Sequence, residues 1–153
     1  MSWEHRSPRA EALRGTAAAA LAALAALAAC AAPLTRDQIA TLDYGPRPEN
    51  YAQVVRDFLQ PRLVEPEFAR IEFKTEPRPL YQEQALLHER GYGWAVCALV
   101  TEKDRRGAYP DPYPMVFYLR GDKVAATNGG GLERAAGADY AAQQCKALGY
   151  DPQ

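Results

Sequence analysis

Serine occurs in this chain of 153 residues at Ser2 and Ser7 and nowhere else. Both precede an apolar run that opens at Ala17, so the part that folds beyond it has no serine nucleophile and is not a serine hydrolase. Histidine is nearly as scarce, with 2 in the chain, His5 and His88. Zinc hydrolase sites usually draw on two or three histidines, so His88 reads as an ordinary surface or loop residue, and neither a metal nor a cofactor is expected. A surplus of charge is missing as well: 18 basic residues stand against 19 acidic ones. Binding phosphates along a nucleic acid needs a clear cationic excess, which removes nucleic acid from the expected partners. Finally, the apolar run from Ala17 to Ala29 is only 13 residues long. A bilayer core needs roughly 20, so a permanent spanning helix is not expected.

What the run does have is the layout of a secretory signal. Arg6, Arg9 and Arg14 precede it, no charged residue interrupts it, and it closes on small residues. Glu4 and Glu11 among the arginines are unusual for such a segment, and a start site further downstream would account for them. The rival is an alanine-rich buried or amphipathic helix, but every face of the run is apolar.

The run ends Leu27-Ala28-Ala29-Cys30, which resembles the lipobox of bacterial lipoproteins. In that family a diacylglycerol is joined to the cysteine sulfur and the chain is cut just before it. The resemblance implies that residues 1–29 are a signal peptide, that Cys30 carries the lipid (palmitate among its acyl chains), and that residues 30–47 are a tether. Each buried methylene contributes roughly 0.8 kcal/mol, so two or three long acyl chains hold essentially permanently. Ala31 follows the cysteine. By resemblance to lipoproteins of Gram-negative bacteria, in which aspartate at that place favours inner-membrane retention, alanine implies an outer-membrane protein facing the periplasm.

Without the first 29 residues, 124 remain, enough for one small domain, expected over residues 48–153. They hold 15 basic and 17 acidic side chains. Cys97 and Cys145 are then an even pair in a chain expected to enter an oxidising compartment, and a disulfide is expected between them, with two buried free thiols as the rival.

Between Ala31 and Arg47 no period is sustained, although a short helix within Thr35 to Leu42 fits. Next, Tyr51, Val54, Val55, Phe58 and Leu59 form a single helical stripe suited to cover a sheet, with Asn50 and Gln53 placed to cap it and Pro61 to end or kink it. Arg70 to Lys74 alternates as a half-buried strand that Pro77 and Pro79 end. Leu80 to Arg90 is ambiguous. Trp94 to Val100 is apolar on both alternating faces, the pattern of a central strand. Met115 to Arg120 is a second strong strand, and Gly121-Asp122 turns it into Lys123 to Ala126. Asn128-Gly129-Gly130-Gly131 is a link, and a last helix from Ala138 to Leu148 ends at Gly149. Ala138, Ala141, Cys145 and Leu148 share one side of it, which should face the sheet and bring Cys145 to Cys97. The expected class is α+β: an amphipathic helix, an antiparallel sheet of three to five strands, and a C-terminal helix.

The residues DYGPRPENY at 43–51, LVEPEFARIEF at 63–73 and GYGWAVCALV at 91–100 are similar to a group of small proteobacterial lipoproteins without an assigned activity. Members of the group tend to follow the central strand with an Asn- and Gly-rich segment, where this chain has TEKDRRGAYPDP. In size and layout the small outer-membrane lipoprotein of the β-barrel assembly machine is a fold-level analogy.

Three features bear on function. The triple glycine could cradle phosphate, but no Lys-Ser or Lys-Thr follows it, and a plain loop is expected. The loop from Gly107 to Pro114 is stiffened by three prolines and presents Tyr109 and Tyr113, with Lys103, Arg105 and Arg106 beside it, a composition suited to partner contact or to anionic envelope polymers. Carboxylates are plentiful, yet no pair stands out for a glycosidase, and no enzyme activity is expected. The expectation is a non-catalytic, lipid-anchored envelope protein that docks onto another envelope component. Its rivals are a periplasmic module binding peptidoglycan fragments or another small molecule, and a small carboxylate hydrolase.

Overall fold

A computed structural model describes residues 33–83, 90–130 and 138–151. Cys30, His88 and Gly131 lie outside the described residues, as do 84–89 of the ambiguous stretch. Residues 36–153 form one compact unit, and no helix among the described residues is long and apolar enough to cross a membrane.

The chain is α+β. A short helix, α1 (Arg36–Ala40), precedes α2 (Tyr51–Leu59), and five antiparallel strands follow: β1 (Arg70–Phe73), β2 (Arg78–Gln82), β3 (Gly91–Thr101), β4 (Tyr113–Arg120) and β5 (Lys123–Asn128). The last helix is α3 (Ala138–Ala147). The sheet is built on β3, which is paired along one side by β4 and along the other by β1 and β2 in turn. Arg70 faces Thr101 and Gln82 faces Gly91, so β1 and β2 run end to end down the same edge. In the gap between them the Lys74 amide donates to the Cys97 carbonyl at 2.8 Å, and the Thr75 hydroxyl accepts the Cys97 amide at 2.9 Å. The ladder of β3 therefore stays satisfied at its midpoint, where an open amide would be costly.

β1 ends at Phe73, ahead of Pro77 as expected, but a new strand opens at Arg78 with a proline inside it. Pro79 sits inside β2, opposite Trp94. Because β2 pairs with β3 alone, it is an edge strand, where a missing amide hydrogen is tolerated.

The two faces of β3 are buried by two different helices. Val96, Ala98 and Val100 join Met115, Phe117 and Leu119 under Val54, Val55 and Leu59 of α2. Tyr51 meets Phe73 edge-on at 5.4 Å, and Phe58 meets Phe117 at 6.3 Å, as the helical stripe anticipates. Asn50 makes no side-chain cap; its carbonyl instead accepts the Gln53 and Val54 amides, while Gln53 Nε2 donates to Asp57. On the opposite face Ala95, Cys97, Val116 and Tyr118 pack against Cys145 and Leu148. Cys97 Sγ and Cys145 Sγ lie 2.04 Å apart, both residues fully buried. Gly149, at φ 102°, closes α3 as expected: its amide donates to Lys146 and the Tyr150 amide to Cys145.

The packed domain also takes in residues expected in the tether. Tyr44 stands edge-on to Tyr92 at 6.1 Å, the Trp94 indole N–H donates to the Gly45 carbonyl at 3.0 Å, and Arg47 pairs with Glu76 at 2.8 Å. These contacts pin residues 44–47 against the sheet, and two of them sit at the first residues of β3.

Candidate functional site

Three large apolar side chains stay exposed among the described residues: Val64 at 58%, Phe68 at 52% and Tyr109 at 50%. They come from two distant stretches, which the sheet joins. β1 begins two residues after Phe68 and β3 ends two residues before Lys103, and the pairing of Arg70 with Thr101 sets those two ends side by side. Lys103 then ties the stretches together. Its ammonium lies 2.5 Å from Glu65 Oε2, 4.4 Å from the centre of the Phe68 ring and 5.8 Å from that of Tyr109. The hydrogen bond to Glu65, with the carboxylate charge behind it, holds the Lys103 pKa above its ordinary value, so the ammonium is charged throughout the physiological range. Two half-exposed rings thus share one cation, an arrangement in which each ring face gains attraction from the charge.

The loop beyond Lys103 is held in one shape. Asp104 Oδ1 accepts the amides of Arg106 at 2.8 Å and Ala108 at 2.9 Å, and the Asp104 amide donates to the Ala108 carbonyl at 2.8 Å. Gly107, at φ 81°, takes the backbone sign that such a closed turn requires. Arg105 and Arg106 occupy its exposed tip, and Tyr109 leaves it beside Lys103.

Tyr113 departs from the expectation of a second surface ring. It is 8% exposed, pairs with Val100, belongs to the core under α2, and donates its hydroxyl to Glu102 at 2.8 Å. The reason is that β4 starts at Tyr113, two residues earlier than expected, so Tyr113 shares an inward face with Met115 and Phe117. Of the residues expected to meet a partner, the structure keeps Tyr109, Arg105 and Arg106 at the surface and takes Tyr113 away, while Phe68 joins Tyr109 around Lys103.

A second feature had no place in the sequence expectations. Gln82, Asn128 and Gln144 are buried together around the Tyr118 hydroxyl. Gln82 Oε1 accepts from the Tyr118 hydroxyl at 3.0 Å, from Gln144 Nε2 at 2.7 Å and from Asn128 Nδ2, which also donates to Gln144 at 2.6 Å. Burial, with the Tyr140 phenol nearby, pushes the Tyr118 pKa well above its ordinary value. Asn128 is thus the buried last residue of β5 rather than part of a link, and Gly129 behind it is buried as well. One signal was present: Gln144 lies at the spacing of the buried α3 side, three residues after Ala141 and four before Leu148.

An open cleft of about 390 Å³ lies between the end of α2 and the β4–β5 pair, walled by Phe58, Arg62, Tyr113, Met115 and Gly130. Its two charged side chains are turned to the protein itself: Arg62 donates to the Phe58 carbonyl at 2.5 Å and covers the Phe58 ring at 3.8 Å, and Glu102 accepts from Tyr113.

No family model matches the chain, and no curated protein or solved structure does either. What it does must be argued from its own residues.

Proposed function

We propose that this chain is a non-catalytic, lipid-anchored envelope protein, attached to the outer membrane through Cys30 and docking onto another envelope component through the surface of Phe68 and Tyr109. The observation that carries this role is the pair of half-exposed rings assembled around Lys103. Rings left in water beside a rigid loop favour contact with a partner, because their burial is gained with little loss of chain freedom. The exposed halves of two such rings amount to about 200 Å², or about 5 kcal/mol gross on burial, enough for the centre of an interface and too little for a whole one. A module for small ligands is less favoured by the open cleft, whose Arg62 and Glu102 are already engaged within the chain.

The deciding experiment is crosslinking and pull-down from envelope membranes with the lipidated protein, comparing the native chain with Phe68→Ala plus Tyr109→Ala. A partner recovered with the native chain and lost at least about tenfold with the variant is the expected result. Equal recovery refutes the surface. A melting temperature raised by peptidoglycan fragments, with no partner recovered, transfers the case to ligand binding. Mass spectrometry of the chain checks the anchor separately: an uncut, unacylated protein in the cell interior ends the envelope role altogether.

A further inference from the structure

The outer edge of β1 is open. Lys74 gives its amide to the Cys97 carbonyl, and in an antiparallel ladder the residues bonded in this way alternate, so Glu72 and Arg70 also turn their backbone groups to β3. Ile71 and Phe73 therefore point their amides and carbonyls the other way, and among the described residues no strand pairs that side. The space beside it is clear as well. A cleft of about 370 Å³ lies against Ala69 and Ile71, with Arg56, Leu63 and Pro66 among its other walls.

An edge of this kind is a template for another strand, and charged side chains are a common way to blunt it. Here the two charges are opposite in sign: Arg70 and Glu72 flank Ile71, and both are exposed, while Ile71 and Phe73 pack on the core under α2. Among the described residues Arg70 meets no carboxylate, and Glu72 uses Oε2 alone on Lys74 with its side chain 61% exposed. Laid antiparallel against itself about Ile71, the strand sets each Arg70 opposite a Glu72. Charges that repel most incoming strands thus admit a second copy of this one.

The backbone agrees with that register. Ile71 faces Ile71 across the two-fold axis, each giving its amide to the other's carbonyl, and each Phe73 amide reaches the Ala69 carbonyl opposite. The Ala69 amide is turned to the Pro66 carbonyl at 3.3 Å and closes the pairing there. An axis at Glu72 would set Glu72 against itself and Arg70 against Lys74, and one at Arg70 would set Arg70 against itself, both repulsive. An axis at Phe73 runs off the end of β1.

We infer that β1 is a self-association edge, at which a second copy of this chain adds its own β1 antiparallel about Ile71 and carries the sheet through both molecules. Each Ile71 then lies beside the other copy's cleft. The contact is small, below about 1,200 Å², which places it at the weak end of specific interfaces. It asks nothing of Cys30 and stands whether or not the chain is anchored.

The test is a charge exchange in the full chain, kept in mild detergent, with its mass followed by sedimentation at concentrations up to about 100 μM. The native chain should pass from one copy to two as concentration rises. Arg70→Glu and Glu72→Arg each set like charges opposite one another, and each should weaken the pairing at least about tenfold. Mixed together, the two variants face opposite charges at every such position and should pair at native strength, as should the double variant Arg70→Glu plus Glu72→Arg by itself. A native chain that stays single overturns the proposal. Pairing that ignores these exchanges overturns it too, because another face is then in use, and so does a loss that neither mixing nor the double variant restores.

Discussion

Breaking the link between Cys97 and Cys145 has a cost that follows from chain length. The two residues are 48 apart in sequence, and a cross-link closing a loop of that size lowers the entropy of the unfolded chain by an amount worth about 4 kcal/mol. Domains of this size are stable by only about 5–15 kcal/mol, so about a quarter or more of the total is at stake. Reduction, or the Cys97→Ala plus Cys145→Ala variant, should lower the melting temperature by about 15 °C, taking about 4 °C per kcal/mol. The variant adds a small cavity term because both sulfurs are fully buried. Without the link α3 keeps Ala141, Leu148 and the Gln144 amide as its holds on the sheet. Amides of α3 should then exchange with solvent well before those of β3, and urea unfolding should show a steeper slope, since the unlinked chain exposes more surface. A midpoint corresponding to less than about 1 kcal/mol of change would refute the reasoning, by meaning that the unfolded chain is held compact by something other than the cross-link.

Other substitutions probe the remaining structure. A Cβ at Gly129, where φ is 83°, would stand 2.4 Å from the Pro114 carbonyl oxygen and 3.1 Å from Ala141, so Gly129→Ala should cost at least about 2 kcal/mol in a denaturant titration. Tyr118 has its pKa raised by burial, so its phenol stays protonated in the fold while the unfolded chain ionises near pH 10. The unfolded state then binds fewer protons, and stability should fall as pH rises above about 10, at up to about 1.4 kcal/mol per pH unit. Tyr118→Phe should flatten that alkaline fall and cost about 1 kcal/mol at neutral pH, where it removes one of several donors to Gln82. Phe68→Ala plus Tyr109→Ala should leave the melting temperature within about 3 °C of the native value, because both rings are half in solvent already. A large loss of stability would make them structural residues rather than docking ones.

The fold was legible where a period was strong and uninterrupted. Trp94 to Val100 is apolar on both faces, which requires cover on both sides, and the stripes of Tyr51 to Leu59 and Ala141 to Leu148 are the covers. The same logic brought Cys145 to Cys97, since each lies on the side of its element that the other must bury. β2 was hidden by Pro77 and Pro79, because a proline ends a central strand but not an edge one, and edge position follows from pairing rather than from local composition. Asn128 was hidden for a related reason. An asparagine before glycines reads as a turn, and its burial depends on Gln82 and Gln144 being brought to it from 46 and 16 residues away.

The surface of Phe68 and Tyr109 shows the limit more sharply. Composition pointed to the loop carrying Tyr109, but the same composition misplaced Tyr113, although alternation through Met115 and Phe117 to Leu119 already set its side chain on the inward face. Nothing local could have joined Phe68 to Lys103, 35 residues later. They meet because β1 pairs with β3 in one register, Ile71 against Val100 and Phe73 against Ala98, and that register is fixed by which side chains must face α2. A slip by one residue would turn Ile71 and Phe73 out to solvent and carry Phe68 away from Lys103 at the same time. The exposed rings are therefore held together by the burial of their neighbours, and a variant that weakens that burial, such as Ile71→Asp, should lose the surface and the core of β1 together.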